Sequence, residues 1–201
     1  YSSGQIILNI YSHDSNKLGI DINDNKDWVY NEVIKNIDKN YLYDLENVNK
    51  NEDIQSLLTE KFGLDVLIDE NYKLIKNSDD YVWIGRGFPY RWLIFSQFGN
   101  KDVNNCDYEN EFINFVHENL DDVNISDYML KTEGGIIRGL YEHDKSGTGG
   151  PFFTYKYRNI NKDKLIFVSG FVNNPGREKV PLLRQLELTI QKMKFNRGND
   201  E

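Results

Sequence analysis

The chain has 201 residues, 39% of them hydrophobic, enough for one well-buried core or at most two small ones. Its 24 Lys and Arg against 32 Asp and Glu leave a formal charge of −8, which repels a phosphate backbone and argues against nucleic acid or an anionic membrane surface as the main partner. With 13 Tyr, 11 Phe and 3 Trp the sequence is too aromatic for a disordered solvating segment, so the acidity belongs to the surface of a folded domain.

In chain order, Gln5 to Tyr11 is a short Ile-rich run that predicts a strand, followed by a polar loop from Ser12 to Asp27. From about Asp27, the residues Tyr30, Val33, Ile34, Ile37 and Tyr41 recur at helical spacing and predict a helix with one buried stripe. Asn51, Glu52 and Asp53 place a capping side chain and two acids at the positive end of a second helix. Its inner face carries Ile54, Leu57, Leu58 and Phe62, and Gly63 stops it.

The period then changes to two. Strands are expected around Asp65 to Ile68, Tyr72 to Ile75, Tyr81 to Arg86 and Tyr90 to Phe98, with a turn at Asn77 to Asp80 and irregular backbone from Gly85 to Pro89. Asp107 caps a third helix that buries Tyr108, Phe112, Phe115 and Val116. After a polar link at Asp121 to Ser126, four more strands follow, at Asp127 to Lys131, Gly135 to Glu142, Pro151 to Tyr157 and Lys164 to Val172. Pro175 and Gly176 turn the chain into a last helix carrying Leu182, Leu183, Leu186, Ile190 and Met193 on one stripe. The pattern predicts an α+β fold, a central antiparallel sheet with helices packed on it, as a single domain over 1–195 with a polar tail at 196–201.

Motifs for chemistry are few. Asp21, Asn23, Asn25, Asp27 and Glu32 copy the oxygen spacing of a calcium loop, but Lys26 stands where that loop needs Gly, so the favoured reading is helix capping. The loop Gly147-Thr148-Gly149-Gly150-Pro151 has the wrong order for phosphate. It is read as a strand connection needing either positive backbone angles or close approach of chains. His13, His117 and His143 have no metal-ligand spacing, Ser169 lies in a strand and not at a nucleophile elbow, and Cys106 has acidic neighbours that keep it a thiol. No catalytic residue, metal ligand or cofactor is assigned. Glu133, Glu142 and Asp144 stand as carboxylates that could meet across the sheet, and a hydrolase using carboxylates near Arg138 and Glu142 is the alternative to a binding role.

One group of residues stands apart. Trp83, Arg86, Phe88, Tyr90, Arg91 and Trp92 fall within ten residues, with Arg138 and Tyr141 on a later strand. Two readings compete: alternation sends some of these into the core with the arginines paired to acids, or the Gly85 to Pro89 loop presents them as an interaction surface. On the second reading the binding residues are Arg86, Phe88, Tyr90, Arg91, Trp92 and Arg138.

Four further stretches carry a resemblance: Arg138-Gly139-Leu140; Gly149-Gly150-Pro151-Phe152; Gly170-Phe171-Val172 with Pro175 and Lys179; and Arg184-Gln185-Leu186-Glu187. In their order and spacing the chain resembles the C-terminal part of a family of Bacteroidota lipoproteins known as domain of unknown function (DUF) 4837. Thr148, Tyr141 and Ser169 depart from the family's usual residues. The resemblance implies export to the periplasm, a lipid anchor upstream of Tyr1 at the outer membrane, and no established reaction. With it goes an expected role as a non-catalytic binding or accessory module whose partner is a protein of an envelope complex. The order of strands and final helix also resembles the Mog1/PsbP type of α/β/α sandwich.

Overall fold

The computed structural model describes residues 5–98, 107–126, 129–159 and 164–195. Cys106, the first residues of the expected strand at Asp127 and the tail at 196–201 lie outside them. The chain falls into two compact units, 1–47 and 48–201.

In the first unit, Gln5 to Tyr11 is not a strand. A β-run has no stability without a neighbour to take its backbone hydrogen bonds, and none pairs with this one among the described residues. Ile6, Ile7 and Ile10 remain 38%, 54% and 41% exposed. The expected loop up to Asp27 is instead largely helical: α1 runs over Leu18–Asp24 and α2 over Lys26–Asn47, with Asn25 between them donating from its side chain to the Asp21 carbonyl. The calcium-like spacing therefore lies on helices. At about 100° per residue, alternate positions turn away from one another instead of facing a common ion. The expected stripe on α2 is only partly covered, since Tyr30 and Ile37 are 65% and 52% exposed.

The second unit holds the sheet. Helix α3, Glu52–Phe62, begins where Asn51 accepts a hydrogen bond from the Ile54 amide and ends at Gly63 in the left-handed region, as its sequence predicts. Strand β1, Leu64–Asp65, follows, then β2 (Lys73–Asn77), β3 (Tyr81–Arg86) and β4 (Tyr90–Phe98). Helix α4, Tyr108–Asn119, is capped by Asp107. Beyond it come β5 (Val123–Ile125), β6 (Lys131–Glu133), β7 (Ile136–His143), β8 (Thr148–Asn159), β9 (Lys164–Asn173), α5 (Val180–Gln191) and β10 (Lys194–Phe195).

Among the described residues, eight strands form one antiparallel sheet in the order β2-β3-β4-β9-β8-β7-β5, with β6 also paired to β7, while β1 and β10 pair separately. Strand alternation divides the core in two. On one face, Val82, Ile84, Leu93, Phe95, Phe153 and Val168 pack against Ile54, Leu58 and Phe62 of α3 and Leu186 and Ile190 of α5. On the other, Ile94, Phe152, Phe167 and Phe171 pack against Phe112, Phe115 and Val116 of α4. The sheet is thus enclosed between helical layers, the α+β sandwich expected from the sequence.

Candidate interaction surface

The β3–β4 hairpin turns at Gly87-Phe88-Pro89, with a cis bond between Phe88 and Pro89. At its tip Phe88 and Tyr90 are 58% and 46% exposed and meet edge to face, ring centroids 6.0 Å apart. The loop from β9 to α5 comes alongside and lays the guanidinium of Arg177 over the Phe88 ring at 5.8 Å. Arg177 is exposed and makes no ion pair among the described residues. Nothing in the sequence marked Arg177 as a member of this group, because eighty-odd residues separate it from the hairpin and only the β4–β9 pairing, Tyr90 opposite Asn173, brings the two loops to one end of the sheet.

The other residues expected on this surface are distributed by alternation. Arg91 points to the α5 side, where it is buried and donates to Gln185 Oε1 at 2.6 Å. Arg86 is paired with Asp69 at 3.0 Å and lies over the Tyr72 ring. Arg138 lies over Phe153 and pairs with Glu187 of α5, which also accepts from Arg184 at 3.4 Å. Glu187 is buried, and the sequence signal for it was a lone acid inside the apolar arc of the last helix. The structure therefore divides the aromatic and arginine group: Arg86, Arg91 and Arg138 are engaged with partners inside the fold, while Phe88 and Tyr90 are exposed.

Trp92 lies on the α4 face in a row of rings across the sheet. It meets Trp83 at 5.4 Å, Tyr141 at 5.7 Å and Phe171 at 6.4 Å. One step further along the same strands, His143 is opposite Thr148, whose hydroxyl accepts from Asn173 Nδ2 at 2.9 Å. Four buried atoms here, Trp83 Nε1, Tyr141 Oη, His143 Nδ1 and Asn173 Oδ1, have no hydrogen-bond partner among the described residues. Leaving a buried polar group unmet costs about 1–3 kcal/mol.

Burial pushes the Tyr141 phenol well above its usual range, and burial together with the neighbouring Tyr155 pushes Tyr157 up to about 12. Unfolded tyrosines ionise near pH 10, so the stability these two neutral phenols contribute is full below that pH and is lost as pH rises towards their folded values. Tyr141→Phe removes one unmet hydroxyl and one such phenol. It is expected to raise the unfolding midpoint at neutral pH by about 1 kcal/mol equivalent and to flatten the alkaline loss, both read by circular dichroism melts across pH. A lower midpoint at neutral pH would show that the hydroxyl has a partner after all.

The carboxylates considered for hydrolysis are not gathered. Arg138 and Glu142 are four residues apart on β7, about 13 Å, and Glu133 sits opposite Ile136, six residues from Glu142 and about 20 Å away. Asp144 accepts from Asn124 at 2.7 Å. Ser169 is buried and bonded to the Thr154 hydroxyl at 2.9 Å. Among the described residues no three His, Cys, Asp or Glu side chains stand where they could hold a metal, and no helix is long and apolar enough to cross a membrane.

Comparison with known protein families places the later part of this geometry. The model of the family described as Domain of unknown function (DUF4837) matches residues 99–192. That segment belongs to the DUF4837 family. The four stretches that carried the resemblance all lie inside it, and the structure gives them physical roles. In the DUF4837 segment, a Cβ on Gly149 would stand 2.1 Å from the Tyr141 carbonyl oxygen and one on Gly150 would stand 2.0 Å from that of Val172. Gly147 has φ +58°. Both the close approach and the positive angle expected of this loop are therefore present, at successive glycines. Arg138 and Glu187, from the first and last stretches, form the pair that ties β7 to α5.

No curated protein matches the chain. Among solved structures, the Ran-binding protein Mog1p of Saccharomyces cerevisiae is similar at 10% identity and a TM-score of 0.43, over 66% of this chain and 90% of that one. A protein of Bacteroides thetaiotaomicron VPI-5482 is similar at 11% identity and a TM-score of 0.40, over 70% of this chain and 48% of that one. LpqN of Mycobacterium tuberculosis, described as involved in cell envelope biogenesis, is similar at 15% identity and a TM-score of 0.36, over 65% of this chain and 82% of that one. The fold assignment rests on the sheet and its helices themselves.

Proposed function

We propose that the chain is a non-catalytic binding module of a cell-envelope protein assembly, docking through the tip formed by Phe88, Tyr90 and Arg177. The observation that supports a docking role is the two exposed rings at one hairpin tip with a guanidinium lying over one of them, Phe88. Aromatic and Arg side chains of this kind anchor protein interfaces, because they bring large contact area at small entropic cost. The family resemblance is what supports the envelope setting we propose: a periplasmic position, held at the outer membrane by a lipid anchor, with a protein partner in the same complex.

The test places a photoreactive phenylalanine at position 90 of the full-length protein in its native membrane, with a second copy of the probe at the exposed Glu60 of α3 as control. A discrete crosslinked partner from position 90 and none from position 60 is the expected result. A protein that remains solitary from both positions would count decisively against the docking role.

A further inference from the structure

We propose that the partner presents an acidic segment to this tip, one carboxylate binding Arg177 while an adjoining apolar side chain packs against Phe88 and Tyr90; this rests on the docking role proposed above. The Arg177 guanidinium lies over the Phe88 ring, 5.8 Å from guanidinium carbon to ring centroid, and is exposed without an ion pair among the described residues. A guanidinium over an aromatic face keeps its charge, and a planar fork of N–H donors without an acid to satisfy it is suited to take a carboxylate bidentately.

The immediate charges agree. Lys179 is close enough for its ammonium to reach the Arg177 carbonyl at 3.5 Å, and Glu178 is the single acid in that stretch, so the loop from Arg177 to Lys179 carries net positive charge. The other arginines of the region are already engaged, Arg86 by Asp69 and Arg91 by Gln185. On a chain of formal charge −8 this is a local positive spot beside apolar rings. An anionic bilayer would meet the whole acidic molecule and be repelled by it over a Debye length, whereas a peptide segment meets only the tip. The charge balance therefore favours an acidic protein segment over a lipid surface.

The experiment follows the side-chain Nε–H resonance of Arg177 and the amides of Phe88 and Tyr90 in the 201-residue chain. Three probes are added: a short Glu- and Phe-containing peptide, its counterpart with every Glu replaced by Gln, and phosphatidylglycerol vesicles. The acidic peptide is expected to shift all three signals, with the neutral peptide at least about tenfold weaker, and Arg177→Gln should abolish the difference while Arg177→Lys restores part of it. Equal response to both peptides, no response to either, or preferential binding of the vesicles overturns the proposal. The photo-crosslink at position 90 separates the two levels: if it survives in Arg177→Gln undiminished, the acidic-partner proposal falls and the docking role stands; if it never forms, both fall.

Discussion

Gly150→Ala is expected to lower the stability of the sheet domain by about 3 kcal/mol or more, roughly 6 °C or more in the unfolding midpoint, with Gly149→Ala close behind. Most glycine-to-alanine changes are mild, and some stabilise by restricting the unfolded chain. These two differ because of what the added methyl meets. At Gly150 it would lie 2.0 Å from the Val172 carbonyl oxygen and at Gly149 2.1 Å from that of Tyr141, and both obstacles are backbone. A side chain in the way can change rotamer, but these carbonyls belong to β9 and β7, the strands on either side of β8. Relief at either site requires β8 to pull away from a neighbour, breaking ladder bonds on the way. Gly87→Ala is the internal control, since a Cβ there meets nothing within 4 Å. Thermal melts of the three variants check the ranking; equal midpoints for Gly150→Ala and Gly87→Ala would refute the steric account.

Arg138→Met is expected to cost about 2 kcal/mol, and adding Glu187→Gln to it should recover part of that loss. Removing one member of a buried ion pair leaves the other as an uncompensated charge, typically worth about 3–5 kcal/mol. Two features reduce the figure here: the Arg138 side chain is 44% exposed, and Arg184 still reaches Glu187 at 3.4 Å. The carboxylate is the buried partner, at 8%, so the penalty sits with Glu187 and is relieved by neutralising it. A double-mutant cycle by chemical denaturation measures this. Additive losses would mean that the two side chains act independently and that the pair does not tie β7 to α5.

Much of the sheet domain was readable because its signals are local. Asn51 and Gly63 bound α3 through their own side-chain and backbone chemistry, Asp107 starts α4, and β3, β4 and β9 are apolar runs with turn residues at their ends. The failures were of pairing. Gln5 to Tyr11 has strand composition and no edge to join, while Val123–Ile125 and Lys194–Phe195 have little composition signal and become strands because β7 and β1 lie beside them. The surface was half legible for the same reason. Phe88 and Tyr90 are exposed by their position at a hairpin tip, but Arg177 meets Phe88 and Glu187 meets Arg138 only through contacts between segments remote in sequence, which no window along the chain contains.

The place of β9 has a consequence for how the molecule is made. It lies between β4 and β8, so the hairpin strands β2 to β4 and the meander β5 to β8 become one sheet only when it inserts, and β1 waits still longer for β10. During vectorial synthesis, two half-sheets with bare hydrogen-bonding rims must coexist until β9 has emerged. That favours slow, late closure and exposes the unjoined rims to chaperones and to one another, so holding factors that bind extended strands should matter more to the yield of this domain than to one built from neighbouring hairpins.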